Sequence, residues 1–245
     1  MLNGSTRLGR VLGIEIWVEH TVAILILLMT ANVSVVITHR GGEIWEGILA
    51  GIVVSIGLLG SILLHEYGHA IVGMGYGMEF PYIRLSMLGG VAQSINDMPS
   101  ARAEFLIALA GPLVSLVLGL GCLIWFPSPE MAYQNPTTFV VATIGSLNIM
   151  LAIFNMLPAF PLDGGRVLRS IIWMITGSYT KATRGATYTS IVISCGMMGS
   201  ALAMMFGLNV PFFGTGIASG IWVGMLGYMI YSTARREYNN VRIDG

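Results

Sequence analysis

Charged side chains are scarce in this 245-residue chain: Asp, Glu, Lys and Arg together make up 10% of it, and 55% of it is hydrophobic. An ordinary soluble domain carries roughly 25% charge, so the shortage argues against a soluble globular protein and for one embedded in a bilayer. Cysteine is nearly absent too. Cys122 and Cys195 lie in different apolar runs, and neither belongs to a CxxC pair or a metal-ligand spacing. Both read as packing residues, with no disulfide framework to expect. No excess of one charge exists either, because twelve basic residues balance twelve acidic ones. That removes any electrostatic argument for nucleic acid or an acidic substrate. The first twenty residues hold Arg7, Arg10, Glu15 and Glu19 and no apolar core of the signal-peptide kind, so no cleaved leader is expected. Internal repeats, low-complexity tracts and long polar stretches are also lacking, which predicts one membrane-embedded domain over residues 1–245.

What the chain has in abundance is apolar runs. Five, near residues 47–75, 102–126, 137–157, 185–206 and 216–234, approach or exceed the roughly 17–25 residues that cross a bilayer. A sixth, 21–38, is shorter and carries Asn32 and Ser34. With six spans, eleven of the twelve basic residues share one side of the membrane: Arg7, Arg10, Arg84, Arg102, Arg166, Arg169, Lys181, Arg184, Arg235, Arg236 and Arg242. Only Arg40 falls on the other. The bias predicts cytoplasmic termini, and it supports the weak first span, without which the N-terminal arginines would lie on the wrong side. The fold class expected is all-α integral membrane with six transmembrane helices and a small interfacial β-hairpin or sheet. The strand signals are LGIEIWVEH, residues 12–20, which alternates with period two, and YIRLSMLGGVAQSI, residues 82–95. The latter reads as a hairpin turning at Gly89-Gly90.

Within the second run, GSILLHEYGHAIVGMGYG at residues 60–77 places His65, Glu66 and His69 among apolar neighbours. Ionisable groups inside hydrocarbon cost about 2.5–3.5 kcal/mol on insertion scales, and they mark function by default. Residues four apart on a helix share a face, so one cation can reach both imidazoles. Glu66 flanks the pair, within reach of a water held by the metal. This is the mechanical content of H-E-x-x-H, with two neutral histidines for zinc and a glutamate to carry protons. A third ligand is required. Asp163 in FNMLPAFPLDGGRVLR, residues 154–169, is the carboxylate candidate, placed after the fourth run where Pro158 and Pro161 end a helix and Gly164-Gly165 free the backbone. His20 stays open as an alternative, and His39 reads as a solvated loop residue on the opposite side.

HEYGH together with EFLIALAGPLVS at 104–115 and FNMLPAFPLDGGR at 154–166 resembles the site-2 protease family of intramembrane zinc metalloproteases, in particular its short prokaryotic members. The resemblance runs from about Gly13 to Arg236. It implies that His65, His69 and Asp163 hold one Zn2+ per chain, that Glu66 is the catalytic acid/base, and that Asn155 contacts the substrate or a developing oxyanion. It also implies transmembrane protein substrates cut in regulated intramembrane proteolysis, a lipid bilayer as environment, and a prokaryotic cell membrane as location. Family members often carry PDZ or CBS domains. This chain has room for neither, so regulation is expected from the substrate or from a membrane partner of unknown identity. The rival reading is a zinc-binding membrane protein without turnover, either a pseudoprotease that holds client helices or a metal transporter. A transporter would line several spans with polar residues, which the outer halves of these runs lack.

Overall fold

A computed structural model describes residues 4–87, 89–124, 135–211 and 213–243. Among the described residues, four strands and seven helices follow one another: β1 (Ser5–Val11), β2 (Ile14–Glu19), α1 (Val22–His39), α2 (Ile44–Gly75), β3 (Tyr82–Ser86), β4 (Gly89–Gln93), α3 (Ala101–Leu123), α4 (Pro136–Asn155), α5 (Asp163–Thr176), α6 (Tyr179–Met205) and α7 (Ile217–Ile243). Six of these helices, all except α5, contain segments long and apolar enough to cross a membrane. Their outward side chains include Leu27, Ile56, Val117 and Val192, all more than 60% exposed. Such a surface is stable against lipid and costly against water. The chain is an integral membrane protein.

Contacts divide the chain into two compact units, one made of the residues up to Asp97 with Ala110–Ile153, the other of Met98–Leu109 with the residues from Phe154 onward. The first unit contains a four-stranded sheet ordered β1-β2-β3-β4. Its opening hairpin turns at Leu12 and Gly13, both with positive φ (50° and 83°), the tight two-residue geometry that matches strand twist. β2 and β3 pair in parallel, from Glu15↔Tyr82 to Val18↔Leu85. Parallel neighbours need a long crossover, and α1 and α2 supply it. Ile14, Ile16, Ile83 and Leu85 are buried, so one face of the sheet is apolar, as the period-two pattern requires. Tyr67 on α2 donates to the Val11 carbonyl at 3.0 Å, which ties this helix to the hairpin. α2 opens with a reciprocal capping box between Glu43 and Glu46 and runs 32 residues, about 48 Å at 1.5 Å per residue. Further along, Asn148 of α4 donates to Ser61 Oγ of α2 at 2.9 Å.

In the second unit, α6 and α7 pack along Met197, Ala201 and Met204 against Val223 and Ile230, all buried. The turn before α5 folds onto that helix's first residues. A Cβ at Gly165 would lie 2.7 Å from the Phe160 backbone nitrogen, and one at Gly164 would collide with the Met156 and Leu157 carbonyls. The two glycines are therefore there for close approach. The Phe160 amide donates to Ser190 Oγ of α6 at 2.9 Å.

The helices and the sheet agree with expectation, with three differences. β1 has no counterpart among the sequence signals. Its burial pattern is largely exposed, so no apolar alternation announces it. Gly89-Gly90 is not the hairpin turn but the start of β4, with Ser86↔Gly89 and Leu85↔Gly90 paired. α6 begins at Tyr179 rather than 185 because its polar first turn, capped by Ser178 accepting from the Lys181 amide, is helical without being apolar.

Candidate metal centre

His65 and His69 are both buried, at 3% and 5% exposure. Their rings meet edge to face with centroids 4.9 Å apart, and the two Nε2 atoms lie 3.2 Å from each other. The i, i+4 spacing on α2 brings the rings together. The rotation of His65 comes from α3, where Ser115 Oγ is 2.9 Å from His65 Nδ1. A proton on Nδ1 in that contact would leave Nε2 as the nitrogen able to ligate a metal.

Among the described residues, His65, His69 and Asp163 form a group able to hold a metal ion, with one ligand atom from each lying within 4.8 Å of the other two. All three are buried. Zn–N bonds of about 2.0–2.1 Å in a tetrahedral site hold two nitrogens about 3.3 Å apart, close to the 3.2 Å found. Space for an ion is present as well. A Cβ on Gly111 of α3 would sit 2.6 Å from both His65 Nε2 and His69 Cε1, so the absence of a side chain there leaves a cradle. Two imidazoles and a carboxylate around such a cradle fit zinc.

Glu66 is buried beside the pair, and its Oε2 accepts the backbone N–H of Ala92 in β4 at 3.0 Å. Gly90 of the same strand packs flat on its stem, since a Cβ there would approach Glu66 Cγ to 2.6 Å. The carboxylate is thus held by a neutral donor. Asp163 is the first residue of α5, preceded by Leu162 as N-cap. Asn155 is the last residue of α4 and half-buried. His20 is exposed, 3.4 Å from Thr6 Oγ1, and has no place in the metal group. His39 ends α1 and is exposed. Cys122 and Cys195 are free thiols, half-buried and exposed respectively.

Sequence reasoning gave no role in the site to Gly111, Ser115 or Ala92, and read Gly90 as part of a turn. The first two carried a signal, small residues four apart on one face of an apolar helix. Ala92 carried none, because it contributes a backbone amide.

A helical membrane protein with a buried His-His-Asp group and a glutamate anchored beside it is thus defined by fold and site together. The model of Peptidase family M50 matches residues 53–130 and 121–198, and the chain belongs to that family. It is 31% identical to the zinc metalloprotease MJ0392 of Methanocaldococcus jannaschii, covering 99% of this chain and 63% of that protein. To the protein sll0528 of Synechocystis sp. it is 30% identical, over 99% of this chain and 62% of the other. It therefore spans about three fifths of the length of these curated relatives. The solved structure of the site-2 protease from Methanocaldococcus jannaschii superposes with a TM-score of 0.61 at 30% identity, covering 96% of this chain and 95% of that one.

Proposed function

We propose that the chain is an intramembrane zinc metalloprotease, one metalloprotease domain that hydrolyses peptide bonds within or near transmembrane helices of membrane-protein substrates. The observation that carries this reading is the convergence of His65, His69 and Asp163, with Glu66 fixed beside them. His65, His69 and Asp163 would hold the metal, and a bound zinc would supply Lewis acidity for a water and for the scissile carbonyl. Glu66 takes the proton from the attacking water and delivers it to the leaving nitrogen, while its other oxygen stays on the Ala92 amide. Asn155 donates to the carbonyl oxygen on which charge develops. Burial of all three metal ligands keeps bulk water from the reacting bond, which strengthens each of these interactions. The distribution of basic residues supports cytoplasmic termini.

The substrate helix must unwind to be cut. β4 is an edge strand of the sheet, and a peptide laid along it recovers main-chain hydrogen bonds. Gly, Pro or Asn near the scissile bond then favours cleavage, because these residues lower the cost of unwinding.

The test is purified protein reconstituted with tagged single-span membrane proteins. Wild type cleaves and holds about one zinc per chain. Glu66→Gln keeps the zinc and loses cleavage by about 10²–10⁴-fold, and Asp163→Ala loses the zinc. Full cleavage by Glu66→Gln ends this mechanism. Zinc retained in wild type with no cleavage of any substrate returns the reading to a zinc-binding protein without turnover.

A further inference from the structure

We propose that Glu66 and the free edge of β4 together fix which substrate bond is cut: the scissile carbonyl is the one that an unbroken ladder on β4 would give to the Ala92 N–H. This rests on the protease reading above and on a substrate strand laid along β4. The phase of the sheet follows from its parallel pair. The Glu15 amide donates to the Pro81 carbonyl at 3.0 Å, and β2 runs beside β3 from Glu15↔Tyr82 to Val18↔Leu85. A ladder takes every second residue of a strand on each side, so the main-chain groups of Ile83 and Leu85 turn toward β2. Those of Tyr82, Arg84 and Ser86 are left for β4, opposite Gln93, Val91 and Gly89. Gly90 and Ala92 lie between these positions. Their N–H and C=O groups therefore point away from β3, at the free edge.

Glu66 already stands on that edge. Its Oε2 accepts the Ala92 N–H at 3.0 Å, and its stem lies against Gly90, where a Cβ would approach Cγ to 2.6 Å. A strand added there finds the carbonyls of Gly90 and Ala92 turned toward it, but at the Ala92 amide it meets the carboxylate. The substrate carbonyl due at that amide is set beside the side chain that carries the proton, next in sequence to His65. Its residue is the one just before the cut. The two edge carbonyls then take the N–H of that residue and the N–H of the second residue after the cut. This holds for a parallel and for an antiparallel strand, because the bonding groups recur with period two in both. The N–H groups of the second residue before the cut and the third after it point away. Such contacts touch no substrate side chain, so they locate a bond by register and tolerate many sequences.

The test uses synthetic single-span peptides copied from a tagged protein that wild type cleaves, with single amide-to-ester replacements that each delete one N–H. The full-length protein is kept in detergent, cut sites are read by mass spectrometry, and affinity is read by fluorescence anisotropy on zinc-stripped protein. Esters at the residue just before the cut and at the second residue after it should each lower kcat/KM, and weaken binding to the zinc-stripped protein, by about 3–10-fold, the worth of one hydrogen bond. Esters at the second residue before the cut and the third after it should change neither. Zinc-stripped Glu66→Ala should bind the unmodified peptide about 3–10-fold more tightly than Glu66→Gln, because glutamine still accepts the Ala92 N–H and alanine releases it to the substrate carbonyl. Sensitivity in the opposite phase, sensitivity at no position, or equal binding by the two Glu66 variants overturns the proposal and leaves the protease standing. Wild type that cleaves no single-span protein removes the protease reading and this inference with it.

Discussion

Two buried polar clusters in this molecule are built on opposite principles. Around His65 and His69, two imidazoles meet Nε2 to Nε2 at 3.2 Å, in a group with Asp163 that could hold a metal ion. In the second unit, Arg169 of α5 meets Glu104 of α3, which is fully buried. Arg169 Nε donates to Glu104 Oε1 at 2.8 Å, and Nη2 donates to the same oxygen. Glu237 Oε2 of α7 stands 3.6 Å from Nη1, and the Phe160 and Tyr179 rings cover the guanidinium at 5.0 and 4.9 Å. Burial pulls the Arg169 pKa down, but Glu104, Tyr179 and Glu237 more than offset it, leaving it above its ordinary value. The arginine stays charged. The charged cluster pairs opposite charges that the chain itself supplies, although Glu104 Oε2 is left without a hydrogen-bond partner, whereas the histidine cluster gathers groups able to hold a cation.

The sharpest way to break this contrast is to unpair the charged cluster. Arg169→Leu strands Glu104 in a fully buried place and should cost about 3–5 kcal/mol in chemical unfolding in detergent. Replacing both partners, Glu104→Leu with Arg169→Leu, should recover most of that loss, because a buried pair is worth little against well-packed apolar groups. A double variant as unstable as the single one would show that the two charges do not act as a pair. Folded Arg169→Leu should bind zinc as wild type does.

Next in size is Gly111→Ala, a single methyl placed where the cation belongs. Zinc affinity should fall by about 100-fold or more, beyond the usual cost of disturbing a residue behind a ligand, since a Cβ there would force both rings to shift. A normal zinc isotherm for this variant would mean that the cradle at Gly111 is not the ion's place.

The smallest effect expected is at Ala92. Proline there removes the N–H that holds Glu66 Oε2, and an edge strand tolerates it. The catalytic rate should drop by about tenfold, the lower end of the worth of a hydrogen bond to a charged group, while zinc content stays normal.

Much of this was legible in the residues. The apolar runs announced six helices because insertion depends on the summed hydrophobicity of about twenty consecutive side chains. HEYGH announced a metal site because a spacing of four is a shared helix face. The sheet was legible where Ile14, Ile16, Ile83 and Leu85 alternate with polar neighbours. It was not legible in β1, whose side chains are mostly exposed. The glycine pair at 89–90 looked like a turn because glycine is commonest there. Here Gly90 is small because Glu66 lies against it.

By itself the sequence determined the membrane class, the six candidate spans and the i, i+4 histidine pair, which follow from composition, run length and short spacings, and it offered Asp163 as candidate ligand from its proline and glycine surroundings and from the family resemblance. Only the tertiary structure decided how His65 is turned and what holds Glu66. Ser115 is fifty positions from His65, and Ala92 is twenty-six from Glu66. Contacts that distant in the chain depend on how α2 packs against α3 and β4. One of the two partners is a peptide N–H, a group that every residue except proline carries and that no pattern of side chains can reveal.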